Sequence, residues 1–279
     1  MNARRFILRG AAIALLTVLA AAPPGCRKSA EAPAADVAAT NSMLECAAVD
    51  LLGDDTPVLR LAEPGMCPGH FDVRPSQVER LRRCRVLLRL DFQRSLDAKL
   101  RGPVEDGLRI AEVNIPGGLC EPESYLAACR RTADALVDAG LRDRATADAR
   151  LGEIERRIGE TADRCRRQVE ALNGTPVVAS GHQAAFCRWL GLDVVATFSG
   201  ADTAGTGQID RAIRQGEQAG AELVIANLPE GRRVADALAQ RLRGRVVVFG
   251  NFPALGSRHA SFDDLLDDNV GALVEAARR

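Results

Sequence analysis

Histidine is scarce: the 279 residues hold three, His70, His182 and His259, so any site built on imidazole must draw on these. Net charge is absent as well, with 37 lysines and arginines against 37 aspartates and glutamates. The arginines are interspersed with acids rather than gathered into a basic stripe, which argues against nucleic acid as a partner. Signatures of catalysis are also missing. There is no Gly-x-Ser-x-Gly elbow, no Walker loop, no Gly-x-Gly-x-x-Gly after the first strand and no His-Glu-x-x-His. Cys67 or Cys120 with His182 would make a thiol–imidazole pair, but no Cys-x-x-Cys accompanies them. The sequence therefore reads as a binding protein and not an enzyme.

Long hydrophobic runs are lacking too. The apolar segment 11–22 is too short to span a bilayer stably, and it follows Arg4, Arg5 and Arg9. That combination is the mark of a secretory signal over residues 1–25, and Arg4-Arg5 leaves both the general and the twin-arginine export routes open. Gly25-Cys26 resembles the end of a bacterial lipobox, whose cysteine carries lipid and starts the mature chain, although Pro23 stands where an aliphatic residue is usual. Residues 26–38, rich in Ala, Pro and charge, read as a solvated tether. The expectation is a periplasmic or cell-envelope protein, held at the membrane through a lipid anchor on Cys26. Of eight cysteines, seven then remain, and in an oxidising compartment an odd count leaves at least one thiol without an intramolecular partner.

What is present is a 47% hydrophobic composition, enough for a sizeable core, and a regular alternation of patterns. A helix over 39–53 precedes a strand over 57–61, a helix over 76–83, a strand over 84–90, a helix over 92–101 and a strand over 109–113. Helical patterns then run over 123–139 and 142–172 without strands; the second, dense in Arg, Glu and Ala, would be about 45 Å long at 1.5 Å per residue. Alternation resumes with strands over 176–179, 193–198, 222–226 and 245–249. Helices over 183–190, 209–219 and 232–242 separate them, and one over 261–277 closes the chain. No fixed-period repeat appears beyond this similarity of the two halves. The pattern predicts an α/β protein of two Rossmann-like lobes with central, mostly parallel sheets, 39–141 and 173–279, joined by a long backbone helix over 142–172. Ligands of such sheets bind beyond the carboxyl ends of the strands, so the site is expected between the lobes. The strand-end loops are 65–72, 114–122, 180–183, 227–231 and 250–259, and all three histidines lie on them.

The segment GMCPGHFDVRPSQ, residues 65–77, is similar to a ligand loop of the form Asp-Pro-His-x-(Phe/Tyr)-Glu-Pro-x-Pro-Ser-(Asp/Gln). Val177-Val178-Ala179-Ser180-Gly181-His182, followed by Trp189-Leu190-Gly191-Leu192, resembles a second ligand segment in which a histidine ends a strand and opens a helix closing on Gly-Leu. With the order of lobes and helix, these motifs resemble the zinc and manganese solute-binding proteins of bacterial ABC importers, the cluster A-I kind. The resemblance covers roughly residues 39–277. It implies an interlobe transition-metal site, a membrane permease as partner, and a monomer. The sequence departs from the pattern in five places. Gly69 is extra, Cys67 replaces an aspartate, the helix after His182 is about two residues shorter than the usual spacing, glycine stands at the third histidine position in the segment 117–122, and no acid occurs near Gly250-Asn251, where the usual carboxylate falls.

His70, His182, Cys67 and Cys120 are accordingly the candidate metal ligands. Zinc accepts a tetrahedral set of two thiolates and two imidazoles, manganese is bound by relatives, and Cu(I) prefers thiolates more strongly. Each residue has a plainer alternative. His70 would cap the helix that follows it, His182 would be a neutral histidine at a helix N-terminus, and Cys67 and Cys120 would form a disulfide. Cys187 lies about 140° around a helix from His182 and is expected in the core. Cys46, Cys84, Cys129 and Cys165 are expected in core packing or disulfides, and His259 on a surface loop. The competing function is a degenerate, metal-free relative that serves as an interaction module or binds an organic ligand.

Overall fold

The computed structural model describes residues 34–62, 72–100, 107–203, 205–254 and 261–278. Cys26, Cys67, His70 and His259 lie outside the described residues, as does the segment 1–25 read as a secretory signal.

The first half is built on four parallel strands, β1 (Val37–Ala39), β2 (Val58–Arg60), β3 (Val86–Leu90) and β4 (Arg109–Val113), in the order β2-β1-β3-β4. The second half repeats that order with β5 (Pro176–Ser180), β6 (Asp193–Phe198), β7 (Leu223–Asn227) and β8 (Arg245–Phe249), arranged β6-β5-β7-β8. Every pairing in both sheets is parallel. Parallel strands need crossovers, and the helices supply them: α1 (Ser42–Leu52), α2 (Pro75–Leu81) and α3 (Ser95–Leu100) in the first sheet, and α6 (Ala184–Trp189), α7 (Thr206–Ala219) and α8 (Arg233–Leu242) in the second. Central strands β3 and β7 are buried along their whole length and do not alternate; the one buried charge in them, Arg89, is paired with Asp97 at 2.6 Å and Glu112 at 2.9 Å. This is the α/β architecture of two lobes expected from the sequence.

Between the sheets run α4 (Pro122–Asp138) and α5 (Arg144–Val169), with α9 (Phe262–Arg278) packed beside α5 at the end of the chain. Asp143 caps α5 by accepting the Thr146 N–H at 2.9 Å, and a 3-10 turn over Glu170–Leu172 extends the helix. Its outer face is held by helical-spacing pairs such as Arg150–Glu153 at 2.8 Å, while Ile154, Ile158, Ala162 and Cys165 face inward. One buried cluster runs from Val37, Leu88 and Tyr125 through Ile158 to Phe186, Phe249 and Leu273, so the two lobes share a continuous core.

Val37–Ala39 differs from the sequence reading, which assigned 37–38 to the tether and 39 to a helix. The three residues form β1, the strand between β2 and β3, and are buried throughout. A three-residue strand covered on both faces has no alternation, and its Ala-rich composition continues that of the preceding segment.

The described cysteines, Cys46, Cys84, Cys120, Cys129, Cys165 and Cys187, are all buried, and Cys84, Cys120, Cys129, Cys165 and Cys187 are free thiols. Burial pushes the Cys120 and Cys187 thiols up to about 12 and raises Cys129 further, so they stay protonated at neutral pH. Alkylation with iodoacetamide at pH 8 is therefore expected to leave Cys120, Cys129 and Cys187 unmodified in the folded protein and to modify all three in denaturant. Peptide mass spectrometry reads the outcome, and native labelling of any of the three contradicts the packing.

Candidate metal centre

In each sheet the strand order reverses direction beside the first strand, between β1 and β3 and between β5 and β7, and ligands collect where crossovers leave in opposite directions. A cavity of about 550 Å³ lies there, walled by both lobes. From the first lobe come Asp91 and Phe92 after β3, and Ile115 with the segment 117–119 after β4. The second lobe contributes Gly181, His182 and Ala185 after β5, Asn227, Pro229 and Glu230 after β7, and Asn251 and Phe252 after β8. The lobes approach closely at its floor: a Cβ added to Gly118 would stand 3.1 Å from that of Ala185.

His182 and Glu230 face each other in this cavity, Nε2 to Oε1 at 3.6 Å. That is too long for a good hydrogen bond. Ligand bonds of about 2.0–2.1 Å at a tetrahedral angle set two donors of one zinc ion about 3.3 Å apart, so a closure of a few tenths of an ångström would seat an ion between them. Glu230 is fixed from behind. The buried Ser180 hydroxyl donates to its Oε2 at 2.5 Å and the Gly200 N–H to its Oε1 at 3.1 Å, leaving each oxygen a free lone pair. The His182 side chain, by contrast, is 63% exposed toward the opening.

Behind the cavity, Gln183 is fully buried and its Nε2 reaches Asn227 Oδ1, Gly250 O and Asn251 Oδ1 at 3.0–3.2 Å. Asn269 completes the network, accepting the Gly250 N–H at 2.7 Å. These bonds tie the ends of β7 and β8 to the start of α6, so the loops bearing His182 and Glu230 rest on rigid strand ends.

Of the sequence candidates, His182 lines the cavity. Cys120 does not: it follows the cavity-lining segment 117–119, yet its thiol points into the second lobe, with Gly250 O at 3.1 Å and Asn251 Oδ1 at 3.6 Å. In that position it joins the lobes as a protonated donor. Glu230 was missed because the family pattern placed the carboxylate at the end of β8. The signal was an acid in the 227–231 loop, directly beyond a strand. Among the described residues no group of three or more His, Cys, Asp and Glu side chains is placed to hold a metal ion.

The model of the family described as zinc-uptake complex component A, periplasmic, matches residues 119–276, more than half of the chain. The chain belongs to this family. The family's fold is also that of solved periplasmic metal-binding proteins. A Mn-bound structure from Candidatus Liberibacter asiaticus aligns with a TM-score of 0.73 at 13% identity, covering 86% of this chain and 98% of that one. The Cd-bound form of the same protein gives 0.74 with the same identity and coverage. A crystal structure of ZnuA gives 0.72 at 13% identity, covering 88% and 99%. No curated protein sequence matches. At such identities the structural likeness speaks for the fold, and the residues of this family member's site rest on its own geometry.

Proposed function

We propose that the protein captures a transition-metal ion, zinc foremost, in the interlobe cavity and hands it to the membrane permease of an ABC importer. The carrying observation is the His182–Glu230 pair at the reversal point of the second sheet, with Glu230 oriented by Ser180 and Gly200. An imidazole with a carboxylate suits Zn²⁺ or Mn²⁺ better than Cu(I). His70, in the 65–77 segment outside the described residues, is proposed as the ligand from the first lobe, with Cys67 beside it. Family membership supports this reading, since the family is one of periplasmic zinc-uptake components. Capture and release require no chemistry on the ion, only a site that closes and opens.

Metal content by mass spectrometry, followed by titration of the reduced, chelator-stripped protein with Zn²⁺ and Mn²⁺, tests the proposal. One ion per chain at micromolar concentration or below is expected, with His259→Ala unchanged. Absence of binding returns the metal-free module as the reading of this fold.

Location is part of the same proposal: export to the periplasm and anchoring through lipid on Cys26. Among the described residues no helix is long and apolar enough to cross a membrane. Cys26→Ser is expected to move the protein from the membrane to the soluble fraction after cell lysis; unchanged partitioning contradicts lipid anchoring and leaves export standing.

A further inference from the structure

We infer that the interlobe cavity takes its metal ion together with a small organic chelator, a flat, largely apolar molecule with one or two donor atoms, and not as a bare ion. The inference rests on the metal reading of His182 and Glu230 and deepens it. Size is the first reason. A water molecule's share of liquid is about 30 Å³, so an ion with one or two waters would leave most of the 550 Å³ unfilled, whereas small-molecule pockets run from about 300 to 1,000 Å³.

The chemistry of the walls is the second reason. Phe92, Ile115, Leu119 and Phe252 contribute no donor to a metal, yet they line the space around the His182–Glu230 pair. Phe92 is 55% exposed, one of few large hydrophobic side chains left in water among the described residues, and it stands two residues past the end of β3 at the cavity wall. Its backbone is set by the Asp91 carboxylate, which accepts the Phe92 N–H at 2.8 Å. An aromatic face held there against solvent is a stacking surface for a ring. Charge is the third reason. Two carboxylates, Asp91 and Glu230, and no lysine or arginine line the described cavity, which favours a net cationic complex over a free anionic chelator. Zinc accepts four or five donors, and the described cavity supplies two of them, His182 and Glu230, which leaves positions for such a co-ligand.

Equilibrium dialysis with radiolabelled picolinate, a planar ring bearing one nitrogen and one carboxylate donor, tests this. With stoichiometric Zn²⁺ the full chain is expected to retain one picolinate, and without zinc none. Phe92→Ala, which removes the ring without adding charge, is expected to weaken that retention at least about tenfold. If the protein binds zinc but picolinate is not retained with it, or strips the zinc away, the chelate inference is overturned while the metal reading stands. Retention by Phe92→Ala equal to the parent also overturns it. If neither zinc nor the zinc–picolinate complex binds, the metal reading itself falls.

Discussion

Glu230→Gln and His182→Ala are each expected to weaken Zn²⁺ binding at least about tenfold, which is about 1.4 kcal/mol, with little loss of thermal stability. The reasons differ. Gln at 230 keeps an oxygen for Ser180 but replaces a charged donor by a neutral amide, and its NH2 cannot accept the Gly200 N–H, so the ion loses both charge and a fixed ligand. Ala at 182 removes an imidazole that is mostly exposed and therefore contributes little to the fold. On the proposal that both groups hold one ion, the double variant should lose less than the sum of the two single losses. Calorimetric titration measures all three. Parental affinity in both single variants contradicts the site.

Asp50→Ala is expected to destabilise the protein by about 2–3 kcal/mol and lower Tm by roughly 5–10 °C, at about 2–4 °C per kcal/mol for a chain of this size. Asp50 lies half-buried in the last turn of α1, and its Oδ2 accepts the hydroxyl of Tyr125 in α4 at 2.6 Å and a guanidinium N–H of Arg157 in α5. Tyr125 is fully buried, and burial pushes its phenol well above its usual range, so it remains a donor that needs an acceptor. Losing that acceptor is the larger part of the effect. The Arg157 side chain is 43% exposed, and water would take over much of its half of the ion pair. Arg157 also lies 3.5 Å from Asp263 of α9, and Tyr125 stacks on Phe262 with ring centroids 4.2 Å apart. The cluster thus fastens the helices of the first lobe to the last helix of the second. Asp50→Asn, which keeps an acceptor for Tyr125, should cost less. Equal Tm values for Asp50→Ala and the parent would show that the cluster contributes nothing.

Much of this fold was written in short-range patterns. Strands β4, β6 and β8 lie at the bounds read from the sequence, 109–113, 193–198 and 245–249, because β-branched runs bounded by turn residues are local signals. The long charged pattern over 142–172 became α5 and its 3-10 extension for the same reason. β1 escaped because three buried residues carry no period. At the site, His182 was legible from its place just past a strand. Glu230 was not, because its pairing with His182 depends on β7 lying next to β5, a non-local fact set by the order β6-β5-β7-β8. The family pattern sent the search to the end of β8, one strand too far. Nor does sequence fix which way a loop side chain turns: Leu119 lines the cavity, and Cys120, the next residue, enters the buried network at Gly250.

Crystals of the protein grown with Zn²⁺, with diffraction recorded on both sides of the zinc absorption edge, give the most direct test. The account predicts one strong anomalous peak per chain within bonding distance of both His182 Nε2 and Glu230 Oε1, about 2.0–2.2 Å from each. A peak elsewhere with that pair still 3.6 Å apart and empty, or no peak at full zinc loading, would contradict it.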